Sequence, residues 1–189
     1  MSNYERVTLA VATEAARKLL VSLRGRKEIL GASVAGSIRR RCETVGDIDI
    51  VATSFDENKG ESRIEKTEVE GIPAQIYVCH PDDYGSYVLF LTGSKEFNIL
   101  SRVVAKERKL ILSQYGLRNE FHCVSDEMLI LYHLGLLVFL DPSMRGKEVI
   151  DEWLKGRRAM EAVMDAKESV VYGDLNDKDS DGSRFEGKC

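Results

Sequence analysis

The order of apolar patterns along the chain predicts an α+β protein. Helical and strand periodicities follow one another without the regular strand-helix-strand alternation of a doubly wound sheet. Asp47-Ile48-Asp49-Ile50 alternates polar and apolar strictly, as a strand with one buried face does. Val7, Val11, Ala15, Ala16, Leu19, Leu20 and Leu23 instead recur at helical spacing. The chain has 189 residues, 43% of them hydrophobic, enough for one compact domain or two small subdomains sharing a core.

Each element follows from local chemistry. Ser2-Asn3-Tyr4-Glu5 has the form of a capping box, so the first helix is expected directly after it, ending at Arg24-Gly25-Arg26. Ala32 to Ala35 reads as a short strand that stops at Gly36-Ser37, and Asp47 to Ala52 as a second strand after a turn at Val45-Gly46. Residues 54–66 are a polar loop with room for a short helix. Lys66 to Glu70 and Ala74 to Cys79 form strands about Gly71-Ile72-Pro73. Val88 to Leu91 is an apolar run before Thr92-Gly93-Ser94, and Phe97 to Lys109 carries a helical pattern. Leu110 to Cys123 reads as a hairpin with Gly116 near its turn. Ser125-Asp126-Glu127 caps a helix ending near Gly135, and Asp141-Pro142 breaks the chain. A last helix is expected from Gly146 through Val149, Trp153, Met160 and Val163, with an acidic, disordered tail from Gly173.

Charge and cysteine usage exclude several classes. The 27 Lys+Arg and 31 Asp+Glu give a formal charge of −4, and Asp165–Cys189 alone holds seven acidic and four basic residues. Residues 1–164 are therefore nearly neutral. Bulk charge does not weigh against a nucleic-acid partner, although binding should be weak and salt-sensitive. The richest apolar stretch, Met128 to Leu140, is interrupted by Tyr132, His133 and Gly135 and is too short for a membrane span. The start shows no secretory pattern, so an intracellular location is expected. Cys42, Cys79, Cys123 and Cys189 form no C-x-x-C pair and are expected as free thiols. Cys79-His80 and His122-Cys123 place neighbours on opposite faces of a strand, which argues against zinc. Asp177 to Gly182 reads like half of a calcium loop, but the twelfth position is Lys188, so a solvated acidic tail is the expected role.

One constellation carries chemistry. Asp47 and Asp49, two residues apart on a strand, bring like charges together, an arrangement that a hard divalent cation or an arginine relieves. Upstream, Gly36-Ser37 lies at a strand-to-helix junction where free N–H groups and a hydroxyl can hold phosphate oxygens. Arg39, Arg40 and Arg41 add guanidinium groups suited to phosphate. Carboxylates for metal beside donors for phosphate suit nucleotidyl transfer.

Gly36-Ser37-Ile38-Arg39-Arg40 followed by Glu43-Thr44-Val45-Gly46-Asp47-Ile48-Asp49 resembles the nucleotidyltransferase motif of family X DNA polymerases, the DNA polymerase beta group. Gly71-Ile72-Pro73, Thr92-Gly93-Ser94-Lys95-Glu96-Phe97-Asn98, Arg102, Gln114-Tyr115-Gly116-Leu117 and Asp141-Pro142-Ser143-Met144-Arg145 resemble its later motifs, in order, over residues 1–145. The resemblance implies a nucleotidyltransferase-type palm with a mixed sheet and flanking helices over residues 1–90. A small thumb-like subdomain over 91–145 and a helix with acidic tail over 146–189 follow, the palm-plus-thumb minimum known from some viral members. It further implies a monomeric DNA-directed DNA polymerase of gap-filling repair that uses two Mg2+ or Mn2+ ions. Its partners would be a dNTP and primer-template or gapped DNA, in the cytoplasm of a host or of a virus- or phage-infected cell.

The resemblance also assigns residues. Asp47 and Asp49 would hold both ions, Ser37 and Arg40 the triphosphate, while Gly36 and Gly46 shape the turns beside them. Thr92, Gly93 and Ser94 would approach the sugar, after Phe90-Leu91 where the family usually has Tyr-Phe. Asn98 and Arg102 would face the minor-groove side of the nascent pair, supported by Tyr115. The third catalytic aspartate of the family falls at Gln75, a neutral amide that cannot take a proton and is a weaker metal ligand. Attenuated polymerisation is therefore expected, with Glu68 and Glu70 as possible substitutes. A catalytically silent nucleotide- or DNA-binding relative and a different nucleotidyltransferase stand as alternatives.

Overall fold

The structure, a computed structural model, describes residues 5–119 and 123–176. Its contacts fall into two units, Met1–Ile150 and Asp151–Cys189.

In the first unit, a four-stranded mixed sheet forms around the alternating strand anticipated at Asp49. β1 (Val7–Thr8) pairs antiparallel with β3 (Thr44–Val45) and leads into helix α1 (Leu9–Arg24). The expected capping box does not start this helix. Thr8 does, its hydroxyl accepting from Val11 N at 3.5 Å, because Val7 and Thr8 are held extended by their strand partners. Ser2, Asn3 and Tyr4 lie outside the described residues. Then come β2 (Gly31–Val34), a single helical turn α2 (Gly36–Arg39), β4 (Ile48–Thr53), β5 (Ser62–Val69) and β6 (Ile72–Cys79).

The sheet order is β2-β4-β6-β5. β4 and β6 run parallel at its centre and both flanking pairs are antiparallel. The period of two sorts the faces. Ile48, Ile50, Ala52, Ala74, Ile76 and Val78 are buried against Ala12, Ala15, Ala16, Leu19 and Leu23 of α1. On the opposite face, Val51 and Cys79 pack with Ala35, Tyr87 and Val88. Asp49 and Gln75 lie on that second face, nearer the strand starts, where both are only half-buried.

After a 3-10 turn at Pro81–Asp83, α3 (Tyr84–Thr92) crosses the second face, and α4 (Lys95–Glu107) follows, capped by Ser94. A small antiparallel sheet of β7 (Ile111–Ser113), β8 (Gly116–Arg118) and β9 (Cys123–Val124) comes next, with the turn just before Gly116 as its φ of +127° requires. α5 (Glu127–His133) begins at the Asp126 cap, which accepts from Leu129 N at 2.9 Å. Arg145, behind a 3-10 turn at Pro142–Met144, is fully buried.

α6 (Lys147–Asn176) continues through Gly173, where a tail was expected to begin. In its second-unit portion Arg157 stacks over Trp153 and pairs with Glu161 at 2.9 Å. The calcium-loop-like segment and Cys189 lie outside the described residues. Cys42, Cys79 and Cys123 are free thiols, as expected. Among the described residues no helix is long and apolar enough to cross a membrane, and no three His, Cys, Asp or Glu side chains gather as a metal cluster.

Candidate active site

The starts of the two parallel strands bring the sequence-identified carboxylates and amide together. Asp47 is exposed immediately before β4, Asp49 is its second residue, and Gln75 of β6 is the direct register partner of Asp49. Register partners share a face, so Asp49 and Gln75 stand side by side. Burial pushes the Asp49 carboxyl up to about 6, and the neighbouring Asp47 charge adds to this, while Arg40 opposes both. Arg40 therefore compensates that carboxylate only in part.

Gly36 makes room for it. The φ of Gly36 is +58°, and a Cβ there would collide with the Asp49 carboxylate, so both backbone conformation and space require glycine. Beside it the Ser37 hydroxyl is buried and has no hydrogen-bond partner. The first N–H groups of α2 have no intrahelical acceptor, and Ala35 supplies no side-chain cap. A hydroxyl left without a partner in such a place fits an anion that supplies the acceptor. Gly46 does not use the left-handed region. A Cβ on it would approach Arg6 at 3.3 Å, and Arg6 is bonded to Thr44.

The three arginines divide. Only Arg40 acts on Asp49, and its guanidinium also donates to the Thr92 carbonyl. Arg39 forms a two-pronged pair with Glu127 at 2.8 and 2.7 Å and donates to Thr92 Oγ1 at 2.8 Å, so it is committed inside the protein rather than offered to phosphate. Arg41 sits exposed at φ +58°. Glu127 also accepts from Arg145 at 2.9 Å, and Arg145 bonds the Phe139 carbonyl and stacks over Phe97. Burial raises the Glu127 carboxyl, but the two guanidinium groups outweigh it and hold the group below its usual range. This cluster ties α2 to α5, and sequence reasoning missed it because its members lie far apart in the chain.

The Thr92-Gly93-Ser94 junction joins α3 to α4. Thr92 is fully buried, Gly93 has φ +63° with Arg40 3.3 Å from where a Cβ would lie, and the Gly93–Ser94 peptide is cis. Asn98 donates to the Phe90 carbonyl at 2.8 Å and Arg102 lies over the Phe90 ring, so these three residues form one group. Tyr115 packs edge-on to Tyr87 at 5.8 Å. Of the possible substitutes for the missing carboxylate, Glu70 is paired with Lys18, while Glu68 lies on the Gln75 face opposite Pro73.

Residues 87–146 match the DNA polymerase beta thumb family. The chain is also similar to DNA polymerase/3'-5' exonuclease PolX of Bacillus subtilis (strain 168), 31% identical over 170 residues that cover 77% of this chain and 30% of the relative. The chain is family X polymerase-like. The matched thumb region of this family X-like chain begins within α3 and takes in α4, the small sheet, α5 and Arg145, so one end of the buried ion cluster belongs to it. The chain spans less than a third of that relative's length.

A residue not anticipated also faces this site. Tyr77, two positions after Gln75, donates its hydroxyl to Gln75 Oε1 at 3.2 Å, and its phenol is pushed up by burial and by the charges of Asp49 and Asp47. The period of two counted from Gln75 is the signal that would have found it.

Proposed function

We propose that this chain is a DNA-directed DNA polymerase of the family X kind, in which residues 1–90 act as a nucleotidyltransferase palm and 91–145 as thumb. The observation that carries the reading is the raised carboxyl of Asp49 beside Asp47, packed against Gly36 of the turn that holds the partnerless Ser37 hydroxyl. Hard carboxylate oxygens with a buried donor beside them fit a divalent cation together with a triphosphate. Asp47 and Asp49 would hold Mg2+ or Mn2+, which when bound supplies positive charge against the phosphates being rearranged. Ser37 and Arg40 bind and orient those phosphates, and Gly36 keeps the approach open. Phe90, Asn98 and Arg102 form the surface for the nascent pair beside the Thr92-Gly93-Ser94 junction. The partners under this reading are a dNTP and gapped or primer-template DNA, and the work is gap filling by a monomer inside the cell.

Gln75 limits the chemistry. An amide cannot accept the proton of a primer 3′-hydroxyl at neutral pH, so nucleotide binding is retained and transfer is slow. The same residue favours a second reading, a catalytically silent nucleotide- or DNA-binding relative. Single-nucleotide incorporation into a gapped duplex with Mg2+ or Mn2+ separates them. Gln75→Asp is expected to raise the rate by about a hundredfold or more. An aspartate variant that still binds dNTP but incorporates nothing establishes the silent reading.

A further inference from the structure

The sequence resemblance implies two cations, but the surroundings of Gln75 suit only one. β4 and β6 are parallel, with Asp49 level with Gln75. Asp47 therefore lies two residues toward the strand start and Tyr77 two residues toward the strand end. The Gln75 amide oxygen accepts from Tyr77 Oη at 3.2 Å, so it is turned along the strand away from Asp47. An amide is planar, with oxygen and nitrogen on opposite sides of one carbon. Turning the acceptor toward Tyr77 takes it away from the carboxylate pair. The only acceptor this side chain has is thereby directed away from the place where a further cation would need it.

The other neighbour of Gln75 adds to the effect. β5 pairs antiparallel with β6, and Lys66 is the register partner of Gln75. The two share a face, so an ammonium group belongs to the residue flanking Gln75 on the side away from Asp49. A cation bound at Gln75 would sit between an engaged amide and a lysine, with like charge nearby, and the β5 carboxylate on that face, Glu68, lies opposite Pro73 rather than Gln75.

We infer that Tyr77 is a positioning residue that holds the Gln75 acceptor away from Asp47 and Asp49, and that with Lys66 it restricts the site to a single nucleotide-linked divalent cation. This rests on the nucleotidyltransferase reading above. It assigns the chain a nucleotide-holding site in which the ion position beside Gln75 has been replaced by hydrogen bonding and positive charge.

Mn2+ binding to the full chain, saturated with a non-hydrolysable dNTP analogue, is counted from the electron paramagnetic resonance signal of the free ion. The parent chain is expected to take one tight ion per chain and nucleotide, and Gln75→Asp two. Tyr77→Phe frees the amide oxygen to turn, and should tighten a second, weak ion by about tenfold, the worth of one hydrogen bond. Lys66→Met leaves that hydrogen bond in place and should tighten the second ion by a smaller factor. Two tight ions in the parent chain overturn the inference and leave the nucleotidyltransferase reading standing. So does a second-ion affinity unmoved in both Tyr77→Phe and Lys66→Met. A chain that takes neither nucleotide nor ion overturns both.

Discussion

Asp49 and Glu127 are both half-buried carboxylates, and their surroundings drive them in opposite directions. Asp49 has Asp47 beside it and a single opposing arginine, so burial prevails and its carboxyl rises to about 6. Glu127 is gripped by Arg39 and Arg145, which overcome the same burial and hold it low. The comparison separates two uses of a charge. A carboxylate whose counter-charge is built into the protein fixes geometry. One that is only partly countered, as Asp49 is by Arg40, costs stability as it ionises, the pattern expected where a ligand is to supply the remaining charge.

The sharpest way to break the comparison is to remove the compensated charge. Glu127→Gln leaves Arg145, fully buried and already with one Nη1 lacking a partner, without its carboxylate. It also frees Arg39 from α5. Breaking a buried pair from one side typically costs about 3–5 kcal/mol, and urea unfolding should show a loss of that order. A loss under about 1 kcal/mol would mean that water already screens the cluster.

Removing the partly compensated charge should do the reverse. With the folded carboxyl near 6 and the unfolded one near 3.8, native Asp49 holds its proton more tightly than the unfolded chain does. Stability from this group is complete below the unfolded value and is lost as pH rises through about 4 to 6, amounting to about 2–3 kcal/mol by pH 7. Asp49→Asn in the cation-free chain should therefore be more stable than the parent at pH 7 by that order and equal to it near pH 3.5. Saturating Mn2+ should narrow the gap by stabilising the parent alone. Glu65 supplies an internal contrast. Hydrogen bonds from Arg26 lead in holding it down to about 2, so its contribution is present above about 4.5 and fades as pH falls. Unfolding across pH 3–8 resolves the two windows, and a parent profile that rises between 4 and 6 would contradict the account of Asp49.

The two regions also differ in how legible they were. Asp49 could be read because strand alternation is local, and Ile48 and Ile50 are buried as the pattern demands. The Gly36-Ser37 turn could be read for the same reason, since a positive φ beside a short strand leaves its mark within a few residues. Glu127 could not. Its partners are 88 residues upstream and 18 downstream, and nothing in Asp126-Glu127 beyond a helix cap announces them. For the same reason the run Arg39 to Arg41 reads in sequence as uniformly suited to phosphate, whereas the partner of Arg39 is internal. α3 was seen only as an apolar run, because Tyr87, Val88 and Leu89 are all buried and no polar face sets a helical period. The pairing of Lys66 with Gln75 depends on hairpin register, which no single segment encodes.

The smallest expected effect tests the comparison most finely, because it asks whether an unsatisfied group can be deleted without structural loss. Ser37 Oγ is buried next to Gly36 with no partner, so in the free chain it contributes desolvation cost and no hydrogen bond. Ser37→Ala should leave unfolding free energy within about 1 kcal/mol of the parent, with any change on the stabilising side. If the hydroxyl serves phosphate, the same substitution should weaken binding of a dNTP with Mn2+ by about ten- to a hundredfold, the value of one hydrogen bond to a charged acceptor. Isothermal titration beside urea unfolding reads both quantities. A variant that loses stability but not affinity would move Ser37 into the same class as Glu127, a group that holds the fold. Retained stability with weakened binding places it with Asp49, where what the protein leaves unsatisfied is completed by what it binds.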